Sequence, residues 1–498
     1  MTARELVCTC EDVTRGDVER AIARGHTDME SLKRYTGLGT GICQGRGCLA
    51  RAAQLLTRAG YGGHTLAPTS ARPPLWPVPL AALAAGASLP PIYPSEAAPA
   101  WTPPPPMPAP PEQLPSLPTH AQVVIIGGGI MGLATAYHLA KCGLTNVVVL
   151  EASYLNAGAS GRNGGGIREQ WSTEQHILLM RESIALCREL AKELGINVWL
   201  RQGGYLFVTA KEKVASGMGA NVELQNRLGV PSRMLRRSEM QHLVPELETS
   251  DLVAAVYNPE DGVIFPWPFL WGYAEGARQR GVHIATFTPA THLLVEGGRV
   301  CGVVTPRGTI RTELVVNAAA AWAPEIARMA GVTLPNRPER HEILVTESLR
   351  PFLGPLVSEL GLGLYFSQSL RGEVVGGLGD PDEPVGVEMR SSQRFLVRMA
   401  RALVHRMPRL GAVKVLRQWA GCYDVTPDGN PIVGEVDEVA GFFQLHGFVG
   451  HGFMMAPVVG RIVGEYLAKG TEHPFVHDNR LHRFARGDVD HKETMIIG

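Results

Sequence analysis

The stretch "AQVVIIGGGIMGLATAYHLAKCGLTNVVVLEA", residues 121–152, limits the fold of this chain more than any other. An apolar run, "VVII", meets glycines at 127, 129 and 132; a helical apolar pattern follows, then a second apolar run ending in Glu151. The order predicts strand, tight turn, helix and strand, the opening unit of a dinucleotide-binding parallel sheet. Gly127, Gly129 and Gly132 permit the turn and let a pyrophosphate approach the helix N-terminus, with Ile130 and Met131 between them. Glu151, followed by Ala152, can accept both ribose hydroxyls.

A second glycine loop indicates which dinucleotide is held. Near the end, "GFFQLHGFVGHGFMMAPVVGRIVGEYLAKG" predicts strand, loop and long helix, so the nucleotide domain is assembled from separated segments. Gly447, Gly450 and Gly452 open that helix, with His451, Phe453 and Met454 beside them. Free amides at a helix N-terminus favour negative charge. A reduced flavin carries such charge at its N1–C2=O edge and a nicotinamide does not, which selects FAD. In "SGRNGGGIREQW", Ser160, Arg162, Asn163, Gly164 and Gly165 are further cofactor candidates, three consecutive glycines passing the flavin ring.

Four of the eight cysteines fall in the first fifty residues. Cys8 and Cys10, then Cys43 and Cys48, can hold tetrahedral zinc or an iron–sulfur cluster. The tight Cys-x-Cys and the glycines at 37, 39, 41, 45 and 47, which let amides approach bridging sulfides, favour [2Fe-2S]. Zinc, or four unrelated buried thiols, are the other readings. Helical patterns around these cysteines predict a small helical domain over residues 1–62. Residues 63–119 are proline-rich, extended and unable to form a core, a linker or a strap on a partner surface. Residues 120–498 then hold FAD-binding segments at about 120–200, 266–334 and 416–498, with an antiparallel substrate domain from about 200–265 and 335–415. The predicted class is α/β, a Rossmann-like FAD domain with an α+β substrate domain.

At 498 residues the chain exceeds a single core. Its 47 basic and 47 acidic residues exclude the electrostatic footprint of nucleic-acid binding. The start has no apolar signal region, and no run approaches the roughly 20 apolar residues of a membrane span. A cytoplasmic chain is expected, with peripheral association with a respiratory chain left open.

The segment "CTCEDVTRGDVERAIARGHTDMESLKRYTGLGTGICQGRGC" resembles the bacterioferritin-associated-ferredoxin-like [2Fe-2S] domain, which implies Cys8, Cys10, Cys43 and Cys48 as cluster ligands. From residue 121 onward, "IIGGGIMGLATAYHLA", "SGRNGGGIREQW", "VVNAAAAWA", "WAGCYDVTPDGNPIVG" and "GFVGHGFMMAPVVGRIV" are similar to the D-amino-acid oxidase/sarcosine oxidase superfamily. Within it the likeness is to flavin subunits of heteromeric sarcosine oxidase, proline and hydroxyproline dehydrogenases, opine oxidases and hydrogen cyanide synthase. One departure is Ala320, where the family more often has glycine. Gly421 and Pro266 stand where some relatives tether flavin, so non-covalent FAD is implied, with Cys422 one place away.

The resemblance implies hydride transfer from the carbon beside an amine to flavin N5, with no dedicated base required. Arg168 is the candidate carboxylate anchor, an arginine fork suiting a carboxylate bidentately, against a salt bridge to Glu169 or Glu174. Tyr423 and Trp171 are candidate pocket walls, and His451 shapes the flavin loop or edge. Val375 and Met454 stand where oxidases of the superfamily carry lysine near the flavin; this apolar face together with the fused iron–sulfur domain points to a dehydrogenase, and the resemblance implies proline, hydroxyproline, sarcosine or an opine as its substrate. Glycine oxidation to cyanide, a peroxide-forming oxidase, and a non-enzymatic electron-transfer module docked on a flavin fold are the alternatives. The implied partner is a second, pyridine-nucleotide-oxidoreductase-like flavoprotein subunit, with an FMN at the interface.

Overall fold

A computed structural model describes residues 4–70, 72–86, 114–487 and 493–496. The strand Val123–Ile126 lies inside a six-stranded sheet because its four residues are all apolar and buried on both faces. Across the sheet the strands run His283–Ala285, Val147–Leu150, Val123–Ile126, Val315–Asn317, Phe442–His446 and Ile432–Glu435. All neighbours are parallel except the last pair. Strands from three distant parts of the sequence thus build one nucleotide sheet, as the separated apolar runs require.

The helices Ile130–Lys141 and Gly452–Lys469 cover one face in close mutual contact. A Cβ at Gly460 would lie 2.7 Å from the Cβ of Ala134, and one at Gly464 2.7 Å from that of His138, so glycine sets the helix spacing. A three-stranded sheet over residues 292–311 and the helix Ala323–Met329 pack into the core of the other face.

The expected substrate segments supply seven strands of a nine-stranded sheet, antiparallel apart from the pairing of Leu356–Glu359 with Tyr205–Thr209; Lys414–Val425, expected with the FAD-binding segments, and Val78–Pro79, expected in the linker, join it by pairing. Its long strands Arg337–Ser348 and Lys414–Val425 both carry residues that line one cavity, among them His341 and Tyr423. Helix Gln393–Arg406 backs it through Phe395, Met399 and Leu403.

The N-terminal unit has three helices, Arg15–Ala23, Met29–Thr36 and Cys48–Arg58, around its own small core of Val7, Val18, Leu32, Leu38 and Leu56. Thr14 and Asp17 form a capping box on the first, and Asp28 caps the second. This unit docks on the larger one: Glu11 pairs with Arg371, Arg417 donates to the Thr40 carbonyl, and the Trp271 ring lies 4.9 Å from that of His26.

The proline-rich stretch departs from expectation. Its described part, residues 72–86, lies on the chain's own sheet, where Val78–Pro79 pairs antiparallel with Val415 and Lys414 as an edge strand. Proline is tolerated there because an edge leaves its missing N–H without consequence. Leu80, opening the short helix Leu80–Ala84, is fully buried in the core behind the nine-stranded sheet. The longest proline runs, within residues 87–113, fall outside the described residues. Among the described residues no helix is long and apolar enough to cross a membrane. Leu80→Ala is expected to destabilise this attachment by about 2–5 kcal/mol. Thermal unfolding and limited proteolysis would show a lower melting temperature and early cleavage in residues 72–86; wild-type behaviour in both would mean the segment carries no load.

Candidate active site

The glycine turn leaves space for a ligand and none for side chains. Gly127 has φ +121°, and a Cβ there would lie 2.3 Å from the Ala318 carbonyl oxygen. One at Gly132 would lie 2.0 Å from the Gly127 carbonyl oxygen. Gly129 caps the helix without a side-chain hydrogen bond, and the Ile130 N–H donates to Ser160 Oγ at 3.0 Å. Glu151 accepts from the Gly128 and Ser153 N–H groups at 2.9 and 2.8 Å, and burial holds its carboxyl above the ordinary range. Ala152 beside it is exposed. Asn156, whose own N–H bonds to Gly128, is buried at φ +61° with neither side-chain amide atom partnered among the described residues. Such an orphaned polar group beside a phosphate-type turn fits a hydrogen-bonding nucleotide. No motif marks Asn156 in the sequence.

The cavity that continues from this turn has a volume of about 150 Å³. Gly129, Ile130, Met131, Ser160, Arg162, Asn163, Gly164 and Gly165 line it from one side, and Gly450, His451, Gly452, Phe453 and Met454 from the C-terminal loop. Gly127, Gly132, Glu151 and Ala152 are not on its wall; the two glycines and Glu151 shape the turn from behind. Arg162 is fixed by Ala157 and Ala420 carbonyls at 2.9 and 3.0 Å, while Asn163 holds the turn through Ser160 and Gly165. Gly450 is obligatory, since a Cβ would lie 2.4 Å from the Tyr423 ring. Asp424 accepts the Gly447 N–H, and burial pushes its carboxyl up to about 6 despite this bond. Gly421 lines this cavity but Pro266 does not, and Cys422 is buried with its thiol pushed up to about 12 by burial.

The predicted catalytic residues divide. Tyr423 and His451 reach the cavity; Arg168 and Trp171 do not. Arg168 is fully buried, makes no ion pair with Glu169 or Glu174, and donates to the carbonyls of Gln170 and Met495. Its Nη2 also lies 3.2 Å from His451 Nε2, and its guanidinium stacks 3.7 Å over the Trp171 ring. Its charge therefore acts from behind the wall. Burial and this arginine hold His451 well below the usual histidine range.

Sequence reasoning missed Tyr205, His341 and Tyr365 on this wall. His341 stacks between Tyr423, at 4.5 Å and 11°, and Tyr365, at 5.6 Å and 13°. Its Nε2 has no partner among the described residues, and burial pushes it down to about 4, so the ring is neutral. In "RPERHEILVTE" a lone histidine in a strand carries no motif; only the fold places it opposite the glycine loop.

A second cavity, of about 220 Å³, lies on the other side of Asn163 and Gly164, between the N-terminal unit and the nine-stranded sheet. Lys33, Arg34, Arg72, Arg371 and Arg417 line it against two carboxylates, Glu30 and Glu373, with Trp199, Phe265, Trp267 and Trp419 as aromatic walls. Burial pushes Lys33 down to about 8 and Arg72 to about 9. Pro266 and Val375 are here, so Val375, expected at the FAD, faces a different cavity.

The four N-terminal thiols form two pairs. Cys10 and Cys43 are within hydrogen-bonding reach, as are Cys8 and Cys48, and weaker interactions link the pairs. The Cys43 thiol is raised by burial, but Cys10 and the backbone amides of Gly45, Arg46 and Gly47 outweigh that and hold it below its ordinary value. Cys48 is pushed up to about 12 by burial and by Cys8. Among the described residues no three His, Cys, Asp or Glu side chains are arranged around one metal ion.

Gly127→Ala is expected to remove FAD from the purified protein, because its Cβ meets backbone that cannot move aside. The flavin-to-protein ratio from absorbance should fall toward zero; a wild-type ratio would contradict this reading of the turn.

Residues 122–466 match the family described as FAD dependent oxidoreductase, and residues 2–87 match the Sarcosine oxidase A3 domain. The chain is 32% identical, over 78% of its length and 92% of the relative's, to sarcosine oxidase subunit beta of Rhizobium meliloti (strain 1021). The structure is similar to L-proline dehydrogenase from P. horikoshii, with TM-score 0.71, 34% identity, and coverage of 74% of this chain and 99% of that one. It is also similar to glycine oxidase from Geobacillus kaustophilus, with TM-score 0.68, 25% identity, and coverage of 73% and 99%. With its glycine turn, orphaned Asn156 and two-loop cavity all fitting the nucleotide, the chain belongs to the FAD dependent oxidoreductase family and is an enzyme of its amino-acid-oxidising kind.

Proposed function

We propose that this chain is a dehydrogenase of a small amino acid bearing a secondary or α-amine, of the sarcosine, proline, hydroxyproline or opine kind. The observation that carries the reading is the uncharged wall of Tyr205, His341, Tyr365 and Tyr423, facing the glycine loop across one cavity. Bound FAD supplies the hydride acceptor. The protein's part is to present the substrate carbon against these uncharged side chains. Arg162 and Asp424, the charged groups on this cavity, are both tied to backbone. A neutral chamber favours the uncharged amine, whose lone pair must be free when the C–H bond breaks. His341 Nε2 can hydrogen-bond that amine, and the tyrosine hydroxyls can hold the carboxylate while the Arg168 charge, felt at Tyr205, supports them from behind. The names of the relatives, acting on sarcosine, proline and glycine, support this class.

The electron route is read from the N-terminal unit. Two thiol pairs, each able to hold one iron, with backbone amides directed at Cys43, fit a [2Fe-2S] cluster better than one tetrahedral zinc. The second cavity, basic and aromatic, suits FMN: Arg34, Arg72, Arg371 and Arg417 would hold its phosphate and Trp199, Trp267 and Trp419 would offer faces to its ring. It lies within this chain, between its two units. The beta-subunit relatives, together with Ile42 and Trp76, 50% and 65% exposed beside Cys43 and Arg46, support docking of a second flavoprotein subunit that takes the electrons.

Anaerobic mixing with sarcosine, proline, hydroxyproline, glycine and opines should bleach the flavin band with at least one of them. If none does, the chain is not a dehydrogenase of this class. His341→Asn and Tyr365→Phe should each slow that bleaching on the order of 10- to 100-fold, as loss of one positioned polar group does, with FAD still bound. Because His341 titrates near 4, it is neutral at pH 6 and above, and the bleaching rate should rise with pH following the substrate amine alone. A rate that falls on raising pH from 6 to 8 would contradict a neutral His341. Iron and sulfide analysis of anaerobically purified protein should give about two of each per chain; stoichiometric zinc without iron would exclude the cluster.

A further inference from the structure

We propose that residues 493–496 are a positioning element of the flavin site, fixing the loop 447–452 through Arg168 and His451. This goes beyond the substrate reading and does not rest on it.

The chain of contacts begins at a buried charge. Arg168 makes no ion pair among the described residues, so its guanidinium depends on carbonyl acceptors, and one of the two is the Met495 carbonyl, 327 positions away in sequence. The same Nη2 meets His451 Nε2 at 3.2 Å. Arginine only donates, so Nε2 is the bare nitrogen and the ring proton sits on Nδ1. The His451 ring also bonds to the Val449 backbone, which in this tautomer means that Nδ1–H donates to the Val449 carbonyl. Val449 has φ +45°, a conformation a β-branched residue adopts only when held. The loop that lines the FAD cavity is thus held in a strained form by a histidine whose tautomer Arg168 fixes.

The segment is anchored firmly enough to do this. The Glu493 carboxylate, 1% exposed, accepts from the Ser172 N–H at 3.1 Å, the Ser172 hydroxyl at 2.5 Å and the Met495 N–H at 2.8 Å. The Thr494 N–H donates back to Ser172 Oγ. The Met495 side chain packs with Tyr205 and Phe207, and Ile496 lies against Gly429, where a Cβ would stand 2.5 Å from it. Removing Glu493 releases Met495, which leaves Arg168 short of an acceptor and free to turn away from His451.

The test uses full-length apo-protein titrated with FAD, and the absorption spectrum and midpoint potential of the bound flavin. Glu493→Leu, and a chain ending at residue 487, should weaken FAD binding on the order of tenfold and shift both flavin properties. Glu493→Gln, which keeps one acceptor oxygen, should fall between these and the parent. Arg168→Gln should show the same shifts, and adding Glu493→Leu to it should change little more, as expected when two residues act through one contact. If the shortened chain does not fold, the point variants decide. Wild-type FAD affinity, spectrum and potential in Glu493→Leu, with or without lower thermal stability, would reduce the segment to surface packing and overturn the proposal.

Discussion

The site depends on one steric constraint: at Gly127 and Gly132 the backbone passes so close to itself that a single added carbon would sit 2.0–2.3 Å from a carbonyl oxygen. That closeness sets the angle at which the helix Ile130–Lys141 leaves the strand Val123–Ile126, and so the direction of its free N–H groups. Ala318, the residue that follows the neighbouring strand Val315–Asn317, supplies the carbonyl that Gly127 must clear, which ties the turn to a segment almost two hundred residues away. The second helix, Gly452–Lys469, packs onto the first through Gly460 and Gly464 and brings its own N-terminus to the same cavity. Two helix ends and one crevice follow from four glycines.

Around that crevice the charged groups, Arg162 and Asp424 on the wall and Arg168 and Glu151 behind it, are held by the backbone rather than left free. The chamber also presents tyrosine hydroxyls and a neutral imidazole. In a low-dielectric site a fixed charge one layer back still shapes the potential without binding the substrate so strongly as to trap it. The neighbouring cavity is built the other way, with five basic side chains against two carboxylates. The loop carrying Asn163 and Gly164 separates the two cavities, and the N-terminal unit closes the basic side.

The sequence made the nucleotide sheet legible because its signals are local: a glycine spacing, an apolar run and a terminal acid within thirty residues. The second glycine loop was legible for the same reason, and the C-terminal candidates Gly450 to Met454 all reach the cavity. What was not legible depends on long-range pairing. His341 enters the site because Arg337–Ser348 pairs with Lys414–Val425, placing it opposite Gly421 and beside Tyr423, and neither strand announces this. Arg168 showed a carboxylate fork in sequence, yet its acceptors are carbonyls, one of them at residue 495. Composition misled for residues 72–86: proline frequency pointed to a linker, while one leucine, Leu80, was enough to fasten the segment into a core.

The central claim is that an amino acid is oxidised in the chamber walled by Tyr205, His341, Tyr365 and Tyr423 and its electrons leave through the N-terminal thiols. A single-turnover experiment tests it most directly: anaerobic holoenzyme is mixed with the substrate found active, and samples are followed by flavin absorbance and freeze-quenched for electron paramagnetic resonance. The account predicts that the flavin band falls first and that a reduced [2Fe-2S] signal then grows as part of the flavin absorbance returns. A flavin that stays fully reduced while no iron–sulfur signal develops, in protein loaded with iron and sulfide, would contradict it.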